Sequence, residues 1–182
     1  MADIDVGAAA VGRSYGATLT NITYQLITNP ANADGVLDTV EIYTGGVTGL
    51  KVGTGYGTGT SRQIRDSVTI GDITYSGKST LSGLSIDVVT GDLISFYCNP
   101  GGLHFSNSGG NGIYYKTGDQ FSAGVQTYTS AASIIISLYA TGETVAVGSK
   151  ALKRFGGIIT ETGFSKKVNL LILTETGWQK GI

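Results

Sequence analysis

Turn chemistry recurs at short intervals along the first 142 residues, and the segments between turns are rich in Ile, Val, Thr and Tyr. Asp34-Gly35, Thr90-Gly91-Asp92, Gly109 to Gly112 and Thr117-Gly118-Asp119 each combine residues that form tight turns or tolerate them. Short β-rich segments punctuated in this way predict an all-β sandwich or barrel. Glycine supplies 29 residues against only two prolines, which fits close backbone approaches and excludes a collagen-like or proline-rich chain. Candidate strands cover 17–28, 36–44, 49–57, 63–70, 84–89, 92–98, 102–106, 112–116, 124–129 and 133–141.

Inside 36–44, Val36, Asp38, Val40, Ile42 and Thr44 alternate with Leu37, Thr39, Glu41 and Tyr43. One mainly β-branched face should therefore meet the core. The preceding Asn32-Ala33-Asp34-Gly35 reads as a turn with the Asp-Gly chemistry that tolerates positive φ. Tyr114 and Tyr115 are adjacent, so on a strand one points to the core and the other to solvent. Gly53, Gly55, Gly57 and Gly59 leave one face of a strand as bare backbone, with Thr54, Tyr56 and Thr58 on the other. A bare face lets a neighbouring chain or an aromatic ring approach closely. The run looks superficially like a phosphate-binding glycine loop, but that motif requires an amphipathic helix to follow, and none does.

A second constraint is the division of the chain near Gly142. Residues 1–142 hold all ten tyrosines and carry six basic and ten acidic side chains, whereas 143–182 hold the only tryptophan, six basic and three acidic side chains. The arm 143–182 predicts a short helix capped by Ser149 with Ala151, Leu152 and Phe155 on one face, ended by Gly156-Gly157. Strands are expected at 158–160 and 168–173, and Leu170, Leu171, Ile172 and Leu173 form an unbroken apolar run. A near-repeat, Thr160 to Phe164 and Thr174 to Trp178, brackets that run with two aromatic anchors, Phe164 and Trp178. An isolated hairpin is marginally stable, so the arm needs a docking surface. Either its own β domain or another chain can supply one, and the opposite charge signs of the two parts fit equally an acidic neighbour or the solubility of an apolar tail.

The chemistry-bearing residues are few. His104 is the only histidine and Cys98 the only cysteine, which excludes a histidine-based metal cluster and an intramolecular disulfide. Cys98 reads as a small buried hydrophobe. Asn99-Pro100-Gly101-Gly102 reads as a hairpin turn that would put Cys98 and His104 on neighbouring strands, a remote basis for a nucleophilic dyad. Asp34, Asp72, Asp92 and Asp119 are scattered through turns, where turn formation explains them more simply than acid–base catalysis or calcium ligation. No catalytic residue, metal or cofactor is expected. Nothing approaches the basic stripe of a nucleic-acid binder, and no apolar run is long enough to span a bilayer. The acidic N-terminus lacks a signal-peptide core, so synthesis in a cytoplasm is expected. Carbohydrate binding is the alternative that composition allows, through His104, Asn107, Asn111, Tyr114 and Tyr115 with Gln120 nearby.

Taken in order, residues 28–42 (TNPANADGVLDTVEI), Arg65-Asp66, 88–96 (VVTGDLISF), 108–114 (SGGNGIY), Gly118-Asp119 and 137–142 (SLYATG) resemble jelly-roll-like modules of tailed-phage and environmental viral virion proteins. The resemblance implies an antiparallel jelly-roll-like β-sandwich over 1–142 and a non-enzymatic place in the virion, as a capsid decoration, a fibre or an adsorption protein. It also implies association of copies, as trimers, and a second virion protein of capsid or tail as partner, with a host surface glycan as a further one. The glycine-alternating run 53–59 departs from the pattern, which carries a bulky residue there, and 143–182 lie outside it.

Overall fold

The computed structural model describes residues 3–15, 20–144, 173–174 and 177–178. All its described elements are strands: β1 (Asp3–Ala8), β2 (Ile22–Leu26), β3 (Gly35–Thr58), β4 (Ser61–Ile73), β5 (Gly77–Val88), β6 (Leu93–Cys98), β7 (Gly101–Leu103), β8 (Phe105–Ser106), β9 (Ile113–Thr117), β10 (Gln126–Thr127), β11 (Thr129–Ala131), β12 (Ile135–Ile136), β13 (Leu138–Glu143), β14 (Leu173–Thr174) and β15 (Gly177–Trp178). Two compact units divide the chain, Met1–Ala146 and Val147–Ile182. In the second, β14 and β15 pair antiparallel, Leu173 opposite Trp178.

The long strand β3 organises the first unit, an antiparallel β-sandwich. Along one flank of β3 run β4 and then β5. Along the other run β6, β7 and β13. The sheet extends from β6 through β2 and β9 to β11, and from β13 to β1. A small second sheet pairs β8 with β12, and Tyr15 bridges to Phe105 beside it. The sequence suggests a turn between 44 and 49; instead β3 continues through Gly46 (φ 115°) and Gly49 (φ 60°) with a register shift between Val47 and Leu50. A bulge bends a strand where a turn would end it.

That bend brings both halves of the sheet onto one core. Ile4 and Val6 of β1, Leu37, Val40 and Ile42 of β3, Ile86 of β5 and Leu138 of β13 pack in one buried cluster with Tyr24, Leu26, Val52, Ile94 and Phe96. Each large apolar side chain buried there is worth about 1.5–3 kcal/mol. A Cβ on Gly7 would stand 2.9 Å from Ile94 Cγ2, so β1 lies directly over β6.

Two local expectations need correction. Val40, Ile42 and Thr44 are buried as the alternation requires, but at the start of β3 Leu37 is buried and Asp38 exposed. Register shifts toward both β5 and β13 fall between Leu37 and Thr39: Asp38 is an extra residue against β13 and faces a bulge of β5, and the phase flips there. The turn expected before β3 is present as a bend over 32–34, and the positive φ in this stretch sits at Asn29 (φ 51°). Finally, 99–102 is no hairpin. β6 and β7 run in one direction along β3, pairing Lys51 with Tyr97 and Val47 with Gly101, across a cis Asn99–Pro100 bond. The strand β1 had no counterpart in the sequence reading.

Candidate functional site

Because β6 and β7 are successive stretches of one path, Cys98 and His104 do not face each other across a hairpin. Cys98 is fully buried and its thiol donates to the Gly101 carbonyl at 3.4 Å. Burial pushes that thiol up to about 11, the opposite of nucleophile activation. His104 packs edge-on against Tyr43, with ring centroids 4.7 Å apart, and its Nδ1 accepts from the Arg13 amide at 3.4 Å.

Tyr114 and Tyr115 alternate across β9 as expected, but both are half-buried. Tyr115 is paired with Tyr24 and faces the apolar cluster, its ring 6.4 Å from that of Tyr24. Tyr114 is on the other face, with the Arg62 guanidinium 4.5 Å from its ring centroid. Asn107 and Asn111 are exposed, and the Asn111 amide donates to Thr28 Oγ1. The five residues expected to bind a glycan therefore do not share one platform: the two tyrosines look in opposite directions.

The face bearing Tyr114 is a buried polar layer. Thr23, Gln25 and Ser95 are fully buried there, with Arg62 at 5% exposure. Gln25 Oε1 accepts from Arg62 Nε, and Arg62 NH1 reaches the carbonyls of Gly57 and Gly59 at 3.3 and 3.4 Å. Burial lowers the Arg62 pKa from its ordinary value. Gly53 and Gly55 make the layer compact: a Cβ on Gly55 would fall 2.3 Å from Gln25 Nε2, and one on Gly53 would fall 3.1 Å from the Phe121 ring. The bare glycine face does admit a side chain and an aromatic ring.

On the opposite face, a cavity of about 230 Å³ opens between the two sheets. Ile22 and Tyr24 of β2, Ile113 and Tyr115 of β9 and Ala131 of β11 form one wall; Phe105, Ile134 and Ile136 form the other. Tyr15 stacks on Phe105 at 5.0 Å and is itself exposed.

A third arrangement escaped the sequence reading. Asp92, 2% exposed, is held by Arg65 through Nε and NH2 and accepts the Val89 amide at 2.9 Å. The Arg65 guanidinium lies 4.3 Å from the centroid of the exposed Tyr56 ring. The hydrogen bonds to Asp92 raise the Arg65 pKa above its ordinary value. The only hint in the sequence was the bulky Tyr56 between glycines. Asp119 accepts the Phe121 amide two residues on, the turn-forming role expected of it, whereas Asp34 and Asp72, the latter inside β4, accept the distant amides of Thr90 and Gly49 and so tie separate segments together. Among the described residues no group of three or more His, Cys, Asp and Glu is placed to hold a metal ion.

Of the docking residues, Phe155, Phe164, Leu170, Leu171 and Ile172 lie outside the described residues, as does the expected helix from Ser149. Leu173 and Trp178 are described through their strand pairing alone. No protein-family model matches the chain, and no curated protein matches it either.

Proposed function

We propose that the chain is a non-enzymatic structural protein of a bacteriophage virion, a jelly-roll-like sandwich displayed outward and anchored through residues 143–182. The observation that carries the reading is how the sandwich closes upon itself. Its first strand β1 pairs with its last, β13, over six residues from Asp3↔Glu143 to Ala8↔Leu138. The outer side of β1 is satisfied from within: the Asn32 side chain accepts from the Asp5 amide at 3.0 Å and donates to the Asp3 carbonyl at 3.2 Å, and the Gly7 amide donates to Asn29. A sheet edge capped in this way needs no strand from 143–182 to complete it. That leaves the arm available for a partner: another copy, in a trimer, or a capsid or tail protein. The virion setting itself rests on the ordered segments of residues 28–142. The glycan-binding alternative has no shared aromatic platform to support it.

Truncation after Ala146 tests the arm. The fragment should fold with an unfolding midpoint close to that of the whole chain, and sedimentation should show association in the whole chain alone. An unfolded fragment, or one that still associates, removes the docking role. For the virion setting, proteomics of particles made by the genome that encodes the chain should recover it at structural copy number; particles without it refute that part.

A further inference from the structure

We propose that the cavity between β2, β9, β11 and the small β8–β12 sheet is a binding site for a small, uncharged aromatic molecule. Every side chain lining it is aliphatic or aromatic. Among the lining side chains only the Tyr24 and Tyr115 hydroxyls can hydrogen-bond, so a sugar, nucleotide or ion entering it would shed most of its water without replacement partners, which opposes binding; an apolar guest gains the area it buries. The volume, about 230 Å³, exceeds the roughly 150 Å³ of an engineered apolar cavity known to hold benzene. It has room for one ring or a fused pair and too little for a lipid. Rings form much of the wall: Tyr24 is flanked by Phe96 at 5.0 Å and by Tyr115 at 6.4 Å, with Phe105 opposite. Ring–ring contacts add to area burial and favour an aromatic guest over an aliphatic one.

The site is preformed and open. Its walls are mainly strands of two sheets, so emptying it leaves hydrogen-bonded backbone in place. Ile22, Phe105, Tyr115, Ala131 and Ile134 are only half-buried, which gives the guest a way in. The proposal uses residues of the first unit alone and stands independently of the assembly reading.

Indole is the probe, with the zwitterion tryptophan as the charged control, both titrated into the whole chain. Saturable indole binding with a dissociation constant below about 1 mM, intermolecular NOEs to the methyls of Ile134 and Ile136, and a rise in melting temperature with indole concentration are expected. Tryptophan should not bind. Ala131→Leu fills the cavity from one wall and should weaken indole at least about tenfold while the protein stays folded; Ile134→Phe, from the other wall, serves if Ala131→Leu unfolds. No saturable binding, equal binding of tryptophan, NOEs elsewhere, or indole affinity unchanged in a folded cavity-filled variant each overturns the proposal.

Discussion

Adding one methyl group to Gly55 should be among the most damaging small changes in this protein. Neither Gly53 nor Gly55 has a left-handed φ, so alanine strains no backbone there and the cost is packing alone. At Gly55 the new Cβ would lie 2.3 Å from Gln25 Nε2 and 2.9 Å from Ser95 Oγ, both fully buried residues. Overpacking a tight interior costs about 1–3 kcal/mol. Gln25 cannot withdraw without releasing Arg62, and a hydrogen bond to a charged group is worth about 1.5–3 kcal/mol. The two effects together predict a loss of about 2.5–6 kcal/mol, offset by about 0.5–1 for replacing glycine, a net of about 1.5–5.5. At about 2–4 °C per kcal/mol for a protein of this size, the melting temperature should fall by about 3–22 °C. Gly53→Ala, 2.3 Å from the Asp66 carbonyl, should cost about 1–3 kcal/mol. Gly45→Ala is the control: nothing stands within 4 Å of its Cβ, so it should be neutral or stabilise by up to about 1 kcal/mol. Urea unfolding of the three variants measures this, and Gln25→Ala in the Gly55→Ala background should recover part of the loss. If all three variants unfold within about 0.5 kcal/mol of one another, the bare face is not closed by the polar layer.

Arg65→Met should destabilise by about 2–4 kcal/mol, because it strands the Asp92 carboxylate at 2% exposure; the lower end allows for an Arg65 side chain that is 28% exposed. Urea titration reads it, and a loss below about 1 kcal/mol would mean water reaches Asp92 freely. Cys98 predicts an alkaline limit: with the folded thiol at about 11 against an ordinary value of 9.0, the unfolded chain releases its proton first. That contribution is complete below about pH 8 and is lost as pH rises from 9 through 11, at most about 2–3 kcal/mol. Burial also raises Tyr24, which steepens the same limb; Cys98→Ala should flatten part of the fall between pH 8.5 and 11, and an unchanged slope would assign the limb to other groups.

The all-β class was legible because turn residues and β-branched segments alternate throughout 1–142, and that pattern has few other solutions. What stayed hidden depends on pairing between distant residues. Gly45-Gly46 and Gly49 look like a turn in isolation and act as a bend, because partner strands on both flanks pair with β3 before and after them, through register shifts between Thr44 and Val47 and between Val47 and Leu50. Asp38 breaks the alternation only because bulges against two neighbours coincide there. β1 was missed because Asp3 and Asp5 make it look like a solvated terminus; their companions Ile4 and Val6 are fully buried. The site residues followed the same rule. Adjacency of Tyr114 and Tyr115 predicted opposite faces correctly, but not that Arg62, from a strand far away in sequence, would cover one of them. The Arg65–Asp92 pair spans 27 positions and carries no local signature.

Edge management narrows how such a sandwich can assemble. A straight, unpaired strand edge is a template for another chain, and three edges here are interrupted. Asn32 closes β1 with a side-chain amide that imitates a peptide group, and its neighbour Asn29 also holds the Asp5 carboxylate at 2.8 Å. On β4, Arg65 is an extra residue between Ile64 opposite Gly55 and Asp66 opposite Thr54, and Gly71 with φ 92° interrupts the register again. On β5, Ser82 pairs with Thr39 and Ile86 with Leu37, so residues 83–85 bulge opposite Asp38, with Gly83 at φ 76°. Each bulge twists its edge and breaks the row of evenly spaced donors and acceptors that a second sheet would need. Edge-to-edge fusion of two sandwiches is therefore disfavoured along β1, β4 and β5. Association of copies would then rest on side-chain surfaces, on the short edge of β11 or on chain beyond the sandwich, and the docking role proposed for residues 143–182 is the last of these.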